Sequence, residues 1–169
     1  APDTFYALAK YASELITTSI CNNGSSKTIG TNLRLASLIG RGMDERLVSR
    51  FVKAALSDKP IKLVGGNQVM AYMDVRDAAE GIIALLNTDT SVWKDVYNFG
   101  VPWRYTIREI AEIVKKTGKT YGKEVEIEIE EKDVNLDTGM DSTLLYRDTG
   151  WCPKYDISRT IDYLFKRFI

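Results

Sequence analysis

The chain has 169 residues, 44% hydrophobic and 27% charged, the make-up of one globular domain or of two small ones packed together. Lys plus Arg number 23 and so do Asp plus Glu, and this formal net charge of zero excludes nucleic-acid binding through bulk charge. Histidine is absent, which excludes Ser–His and Cys–His nucleophiles and His-ligated metals and leaves acid–base work to Tyr, Lys, Asp, Glu or Cys.

Phe5, Leu8, Ala12, Leu15, Ile16 and Ile20 keep helical spacing and predict a helix over Phe5–Cys21 with a buried apolar stripe. Residues 22–26, Asn-Asn-Gly-Ser-Ser, stop it. Alternation through Ile29, Thr31, Leu33 and Leu35 predicts a strand over Thr28–Leu35, with a loop at Gly40-Arg41-Gly42. Leu47, Val48, Phe51, Val52 and Ala55 mark a helix that ends before Pro60. Ile61–Val64 and Val69–Met73 read as two short strands, joined as a hairpin by Gly65-Gly66-Asn67. Asp77-Ala78-Ala79-Glu80 has the form of a capping box opening a helix through Leu86, with Asp77 as the cap. Thr106-Ile107-Arg108-Glu109 is a second box, and its helix runs to about Thr117. Asp95–Phe99 is a strand, and Glu124–Glu130 alternates Glu with Val125, Ile127 and Ile129, a strand with one wet face. A short helix over Ser142–Thr149 stops at Gly150, and the last one starts near Asp156 and buries Ile157, Ile161, Leu164, Phe165 and Phe168. Trp93, Trp103 and Trp151 read as packing residues. The fold class is α/β.

Cys21 and Cys152 fit no metal-ligand spacing, so no metal is expected, and two thiols read as a reduced, cytoplasmic protein with one disulfide as the alternative. No apolar run approaches the roughly 18 residues of a membrane span, and no signal peptide opens the chain. The absence of an initiator Met suggests a chain cut or built from something longer. The Thr28–Leu35 strand follows a helix and has no sheet neighbour nearby in sequence, so its parallel partners are expected from before Ala1. The free chain is then expected to expose apolar surface.

Tyr6 and Lys10 lie four apart on the first helix and share one face, which Glu14 continues. A lysine ammonium beside a phenol favours the phenolate, a group able to take a proton from an alcohol. Downstream, Leu33-Arg34-Leu35-Ala36-Ser37-Leu38-Ile39-Gly40 is followed by Gly65-Gly66-Asn67-Gln68 and Val75-Arg76-Asp77-Ala78-Ala79. Val96-Tyr97-Asn98-Phe99-Gly100 and Gly150-Trp151-Cys152-Pro153 complete the series. In this order the motifs resemble the C-terminal half of the extended short-chain dehydrogenase/reductases, the NAD-dependent epimerase/dehydratase family.

The resemblance implies the C-terminal part of a Rossmann-type parallel sheet plus a small α/β substrate-binding domain. Residues 1–43 would be a remnant of the cofactor domain, and 44–169 mainly the substrate domain, with 75–100 returning to the Rossmann part. It implies that Tyr6 is the acid–base at a sugar hydroxyl while a hydride leaves for the nicotinamide. Lys10 would assist Tyr6 and hold the nicotinamide ribose. Leu35 and Ala36 would lie against the nicotinamide, and Ser37 would meet the substrate where the family usually has Asn. The cofactor would be NAD or NADP, held mostly by residues upstream of the chain. The substrate would be a sugar or nucleotide sugar, and the partners the N-terminal half of the same enzyme and a second copy paired through the Tyr6/Lys10 helix.

The sequence also departs from the family's pattern. Met70 stands where many members place an arginine that grips a diphosphate, and Glu130 or Glu131 where a second is expected. Gly40-Arg41-Gly42 is followed by Glu45 where the third glycine of a dinucleotide fingerprint would be, so the chain alone is not expected to hold NAD. A non-catalytic ligand- or partner-binding module derived from the same family is the alternative.

Overall fold

The computed structural model describes residues 2–21 and 27–169, so the predicted stop at 22–26 lies outside the described residues. The chain opens with α1 (Pro2–Cys21). It continues through β1 (Asn32–Leu35), β2 (Ser37–Ile39), α2 (Leu47–Leu56), β3 (Ile61–Val64), β4 (Val69–Met70) and β5 (Tyr72–Asp74). Then come α3 (Val75–Leu86), β6 (Val96–Phe99), β7 (Tyr105–Thr106), α4 (Ile107–Thr120), β8 (Ile127–Glu130), α5 (Thr143–Thr149) and α6 (Ile157–Phe168). Three strand pairs are parallel, β1 with β6, β2 with β5 and β3 with β8, and β4 pairs antiparallel with β7.

Apolar periodicity builds the first core. α2 buries Val48, Phe51, Val52 and Ala55, α4 buries Ile110, Ala111 and Val114, and α6 buries Ile157, Ile161, Leu164 and Phe165. These faces meet one another and the inner side of β3 at Ile61 and Leu63. Tyr121 stacks flat on Phe165, ring centroids 5.1 Å apart. A second core gathers Ala36, Met73, Ala78, Leu85, Tyr97, Phe99, Leu145 and Trp151. There Trp151 meets Phe99 edge-to-face at 5.3 Å, and Trp93 and Trp103 pack against the same cluster, the packing role expected of all three.

Four expectations need correction. The strand expected over Thr28–Leu35 is confined to residues 32–35, and its neighbour on one edge is in this chain, with Asn32 opposite Val96 and Leu35 opposite Phe99. Gly65-Gly66 turns the chain but closes no hairpin. β3 runs beside β8, some 65 residues away, and the turn points the chain toward β7 instead. Both glycines sit at positive φ, 76° and 101°, where a side chain is strained, and the Gly66 N–H donates to the Gln68 Oε1 at 2.7 Å. Asp77 does not cap α3. Asp74 does, accepting from the Arg76 N–H at 2.8 Å, while Asp77 sits one turn in and is fully buried. Finally, the apolar stripe of α1 is exposed among the described residues, with Phe5 75% and Ile16 60% accessible.

Smaller differences concern element ends. α4 runs on to Thr120, the Glu124–Glu130 strand is ordered as a ladder only over 127–130, and Phe168 is partly exposed. The strand expected over Val69–Met73 is broken at Ala71, whose N–H donates to the Thr138 hydroxyl instead of a strand partner.

Candidate functional site

α1 reaches the body of the molecule at Glu14. The Arg34 guanidinium of β1 donates to both Glu14 carboxylate oxygens, at 2.9 and 2.6 Å, and these bonds hold the Glu14 carboxyl below the usual carboxylate range. Two turns toward the N-terminus, Tyr6 and Lys10 share a face, with the Lys10 ammonium 5.6 Å from the centre of the Tyr6 ring. Tyr6 is 67% exposed.

Pairing of β1 with β6 continues one residue past Leu35, since the Ala36 N–H donates to the Phe99 carbonyl at 2.9 Å. That bond buries Ala36, leaves Leu35 46% exposed at the strand end, and turns Ser37 into β2. Tyr6, Leu35, Ala36 and Ser37 all line one cleft of about 540 Å³. Four of the five residues singled out from the sequence therefore converge, and Lys10 stands one turn along α1, outside the cleft lining.

The cleft is also lined by Met70 and by two residues the sequence did not bring forward, Arg46 and Tyr72. Met70 and Tyr72, both buried, come from β4 and β5, and Arg46, just before α2, lies at the rim. Burial pushes the Tyr72 phenol up, against the opposing charge of Arg46, so it stays a hydroxyl donor at neutral pH. Among the described residues no acidic side chain lines the cleft, and Arg46 is the one charged group that does. Local pattern gave no signal for Arg46 or Tyr72. Their role comes from strand and loop placement.

Glu130 and Glu131 do not reach this cleft; Glu131 lies 3.6 Å from the Arg108 guanidinium instead. A cavity of about 670 Å³ between the end of α4 and Glu124–Glu128 is lined by Lys115, Lys119 and Glu126 and is remote from Tyr6. For a nicotinamide the chain offers suitable groups at one end only. Leu35 and Ala36 give an apolar strand end on the same cleft as Tyr6, whereas Gly40 and Gly42, both at positive φ, form a turn after β2 and open no helix.

The comparisons with known proteins give the family and the fold. The family model described as "NAD dependent epimerase/dehydratase family" matches residues 1–100. UDP-glucuronic acid decarboxylase 4 of Arabidopsis thaliana is 29% identical over 126 residues, 74% of this chain and 28% of that protein. UDP-glucuronic acid decarboxylase 1 of the same plant is 35% identical over 74 residues, 43% of this chain and 16% of its own. Among solved structures, a UDP-glucose 4-epimerase of Thermotoga maritima with UDP-glucose superposes with TM-score 0.79 at 22% identity, over 96% of this chain and 52% of that one. A UDP-N-acetylglucosamine 4-epimerase of Bacillus cereus gives TM-score 0.80 at 18% identity, over 96% and 53%. The chain thus spans about a quarter or less of the curated relatives and half of the structural ones, and shares with the latter the Rossmann-like α/β fold. By its match over residues 1–100, the chain belongs to the NAD-dependent epimerase/dehydratase family.

Proposed function

We propose that this chain supplies the catalytic helix and the substrate-binding part of an NAD(P)-dependent enzyme acting on a nucleotide sugar. The observation that carries the reading is the convergence of Tyr6 with Leu35, Ala36 and Ser37 on one cleft. Tyr6 takes a proton from a sugar hydroxyl at its phenolic oxygen, with Lys10 on the same helix face to favour the phenolate. Ser37 orients the sugar, and Leu35 and Ala36 hold the nicotinamide end of the cofactor. A bound nicotinamide would supply the hydride acceptor for the carbon whose hydroxyl Tyr6 deprotonates. The glycine loop for the cofactor's pyrophosphate comes from the other half of the enzyme. Residues 1–43 with 75–100 form the cofactor side and the remainder mainly the substrate side, although the second core draws on both, joining Tyr97 and Phe99 to Leu145 and Trp151.

NAD binding and turnover of UDP-glucuronate and UDP-glucose, followed by nicotinamide absorbance and product mass, test this in the complete reading frame and in residues 1–169. The complete protein is expected to bind NAD and to lose turnover by about 10³-fold or more in Tyr6→Phe, while residues 1–169 bind no NAD. Turnover that survives Tyr6→Phe would sink the acid–base role. Binding of nucleotide sugar without any hydride transfer in the complete protein would favour the non-catalytic module instead, a reading that Met70 in the cleft wall supports.

A further inference from the structure

We infer that Arg46 and Tyr72 together form the anion contact of the Tyr6 cleft, receiving a phosphate or carboxylate oxygen of the substrate where Met70 offers no charge. The inference rests on the proposal that the sugar substrate sits in this cleft.

The charge pattern around the rim singles out Arg46. Both flanking carboxylates are already engaged, Asp44 by a two-pronged bond from Arg167 and Glu45 by Lys53 at 3.0 Å. Arg46 itself has no ion-pair or side-chain hydrogen-bond partner among the described residues, although two carboxylates lie beside it in sequence. Its backbone is fixed just before the first turn of α2, where its N–H donates to the Met43 carbonyl and its carbonyl accepts from the Arg50 N–H. Among the described residues this side chain is therefore the only cation on the cleft, and no acid lines it.

Tyr72 is the second, independent observation. It is more than nine-tenths buried, it lines the same cleft, and its hydroxyl has no hydrogen-bond partner among the described residues. That hydroxyl is not enclosed, so it opens on the cleft and is free to donate to a ligand oxygen there. The guanidinium offers only donors and carries the positive charge, and the phenol can donate beside it, so the complementary group is an anionic oxygen. Met70, two residues before Tyr72 and also buried in the wall, contributes only a thioether.

Two substrate parts carry such oxygens, the diphosphate of a nucleotide sugar and the carboxylate of a uronic acid. Titrating the full chain separately with UDP, D-glucuronate and neutral methyl glucoside, by calorimetry and amide NMR, distinguishes them. At least one anion is expected to bind, with methyl glucoside about tenfold weaker or worse. Arg46→Gln lowers that anion's affinity by about tenfold or more, the factor that one charge-assisted hydrogen bond commands, and Arg46→Lys restores part of it. Tyr72→Phe, which retains the ring packing, lowers it by about threefold or more. Dependence of UDP alone on Arg46 assigns the diphosphate, and dependence of glucuronate alone assigns the carboxylate. Anion affinity unchanged in a folded Arg46→Gln chain, or no anion binding by the wild-type chain, overturns the inference. These titrations contain no cofactor. A failure here with hydride transfer intact removes only the anion contact, and an Arg46-dependent titration without hydride transfer removes only the enzymatic reading.

Discussion

Asp74 joins the cleft wall to the rest of the molecule, and its removal has a calculable cost. It ends β5 two residues after Tyr72, and it is fully buried. Its carboxylate caps α3 through the Arg76 N–H, accepts from the Arg76 guanidinium at 2.9 and 2.7 Å, and accepts the Thr160 hydroxyl of α6 at 2.7 Å. The guanidinium is held in place between the rings of Tyr155 and Tyr163, 3.9 and 4.4 Å from their centres. In Asp74→Ala the lost cap costs about 1 kcal/mol. The charged bond to Arg76, whose side chain is a third exposed, is taken at the low end of its range, about 1.5 kcal/mol. Thr160 keeps a second acceptor in the Asp156 carbonyl, so its loss adds about 0.5 kcal/mol. The expected destabilisation is about 3 kcal/mol, and about half of that for Asp74→Asn, which can still cap and accept.

Urea unfolding followed by tryptophan fluorescence measures both, since Trp151 reports on the second core. Burial alone would raise the Asp74 carboxyl, but the bonds from Arg76 and Thr160 outweigh it and hold it below the usual carboxylate range. A carboxyl depressed in the folded state contributes stability above its unfolded pKa of about 4, and the contribution disappears as pH falls through the depressed value. The gap between wild type and Asp74→Asn is therefore full at pH 7 and closes in acid. A cost below about 1 kcal/mol for Asp74→Ala, or a gap that persists unchanged into strong acid, would refute the reasoning.

Asp77 has the opposite sign. Burial pushes its carboxyl up despite the N–H donors of Lys154 and Tyr155 at 2.9 Å, so its contribution falls as pH rises from the usual carboxylate value to the raised one. Asp77→Asn removes that slope from a urea-stability series between pH 4 and 7, while leaving one backbone donor short of an acceptor at a cost of about 1–3 kcal/mol. Gly81→Ala improves helix propensity by about 1 kcal/mol, yet its Cβ would stand 2.4 Å from the Phe99 ring and 3.2 Å from Trp151. Unfolding midpoints are expected to show a net loss of about 1–2 kcal/mol, because the aromatic pair cannot retreat. We propose that the exposed stripe of α1 pairs with a second copy, and light scattering is expected to give twice the chain mass, falling to one chain mass in Leu8→Lys with Ile16→Lys.

Helices with a clear apolar period were legible in the sequence because one chain segment determines them. α2 and α6 bury most of the residues their spacing marks, Leu47 and Phe168 being only partly covered, and the Thr106–Glu109 capping box of α4 forms with both reciprocal bonds. Errors arose where the partner is distant. Local pattern marked Asp77 as the cap of α3, and it is the distant backbone at Lys154 and Tyr155 that draws Asp77 inward and leaves the cap to Asp74. The Gly65-Gly66 turn has hairpin composition, but the edge that satisfies β3 lies on β8. At the site, Tyr6 with Leu35, Ala36 and Ser37 was legible because the family's motif order is. Arg46 and Tyr72 were not, since no motif links a loop arginine to a strand tyrosine 26 residues later.

The bidentate clasp between Arg34 and Glu14 makes α1 a lever with its fulcrum at the eighth residue after Tyr6. Those eight residues span about 12 Å, so a tilt of roughly 10° at the clasp would carry the Tyr6 hydroxyl by about 2 Å. Productive proton transfer tolerates displacements of only about 0.5 Å. Whatever seats the apolar flank of α1 therefore also sets the position of Tyr6, and under the acid–base role proposed for it, docking of that flank would double as the step that aims the phenol.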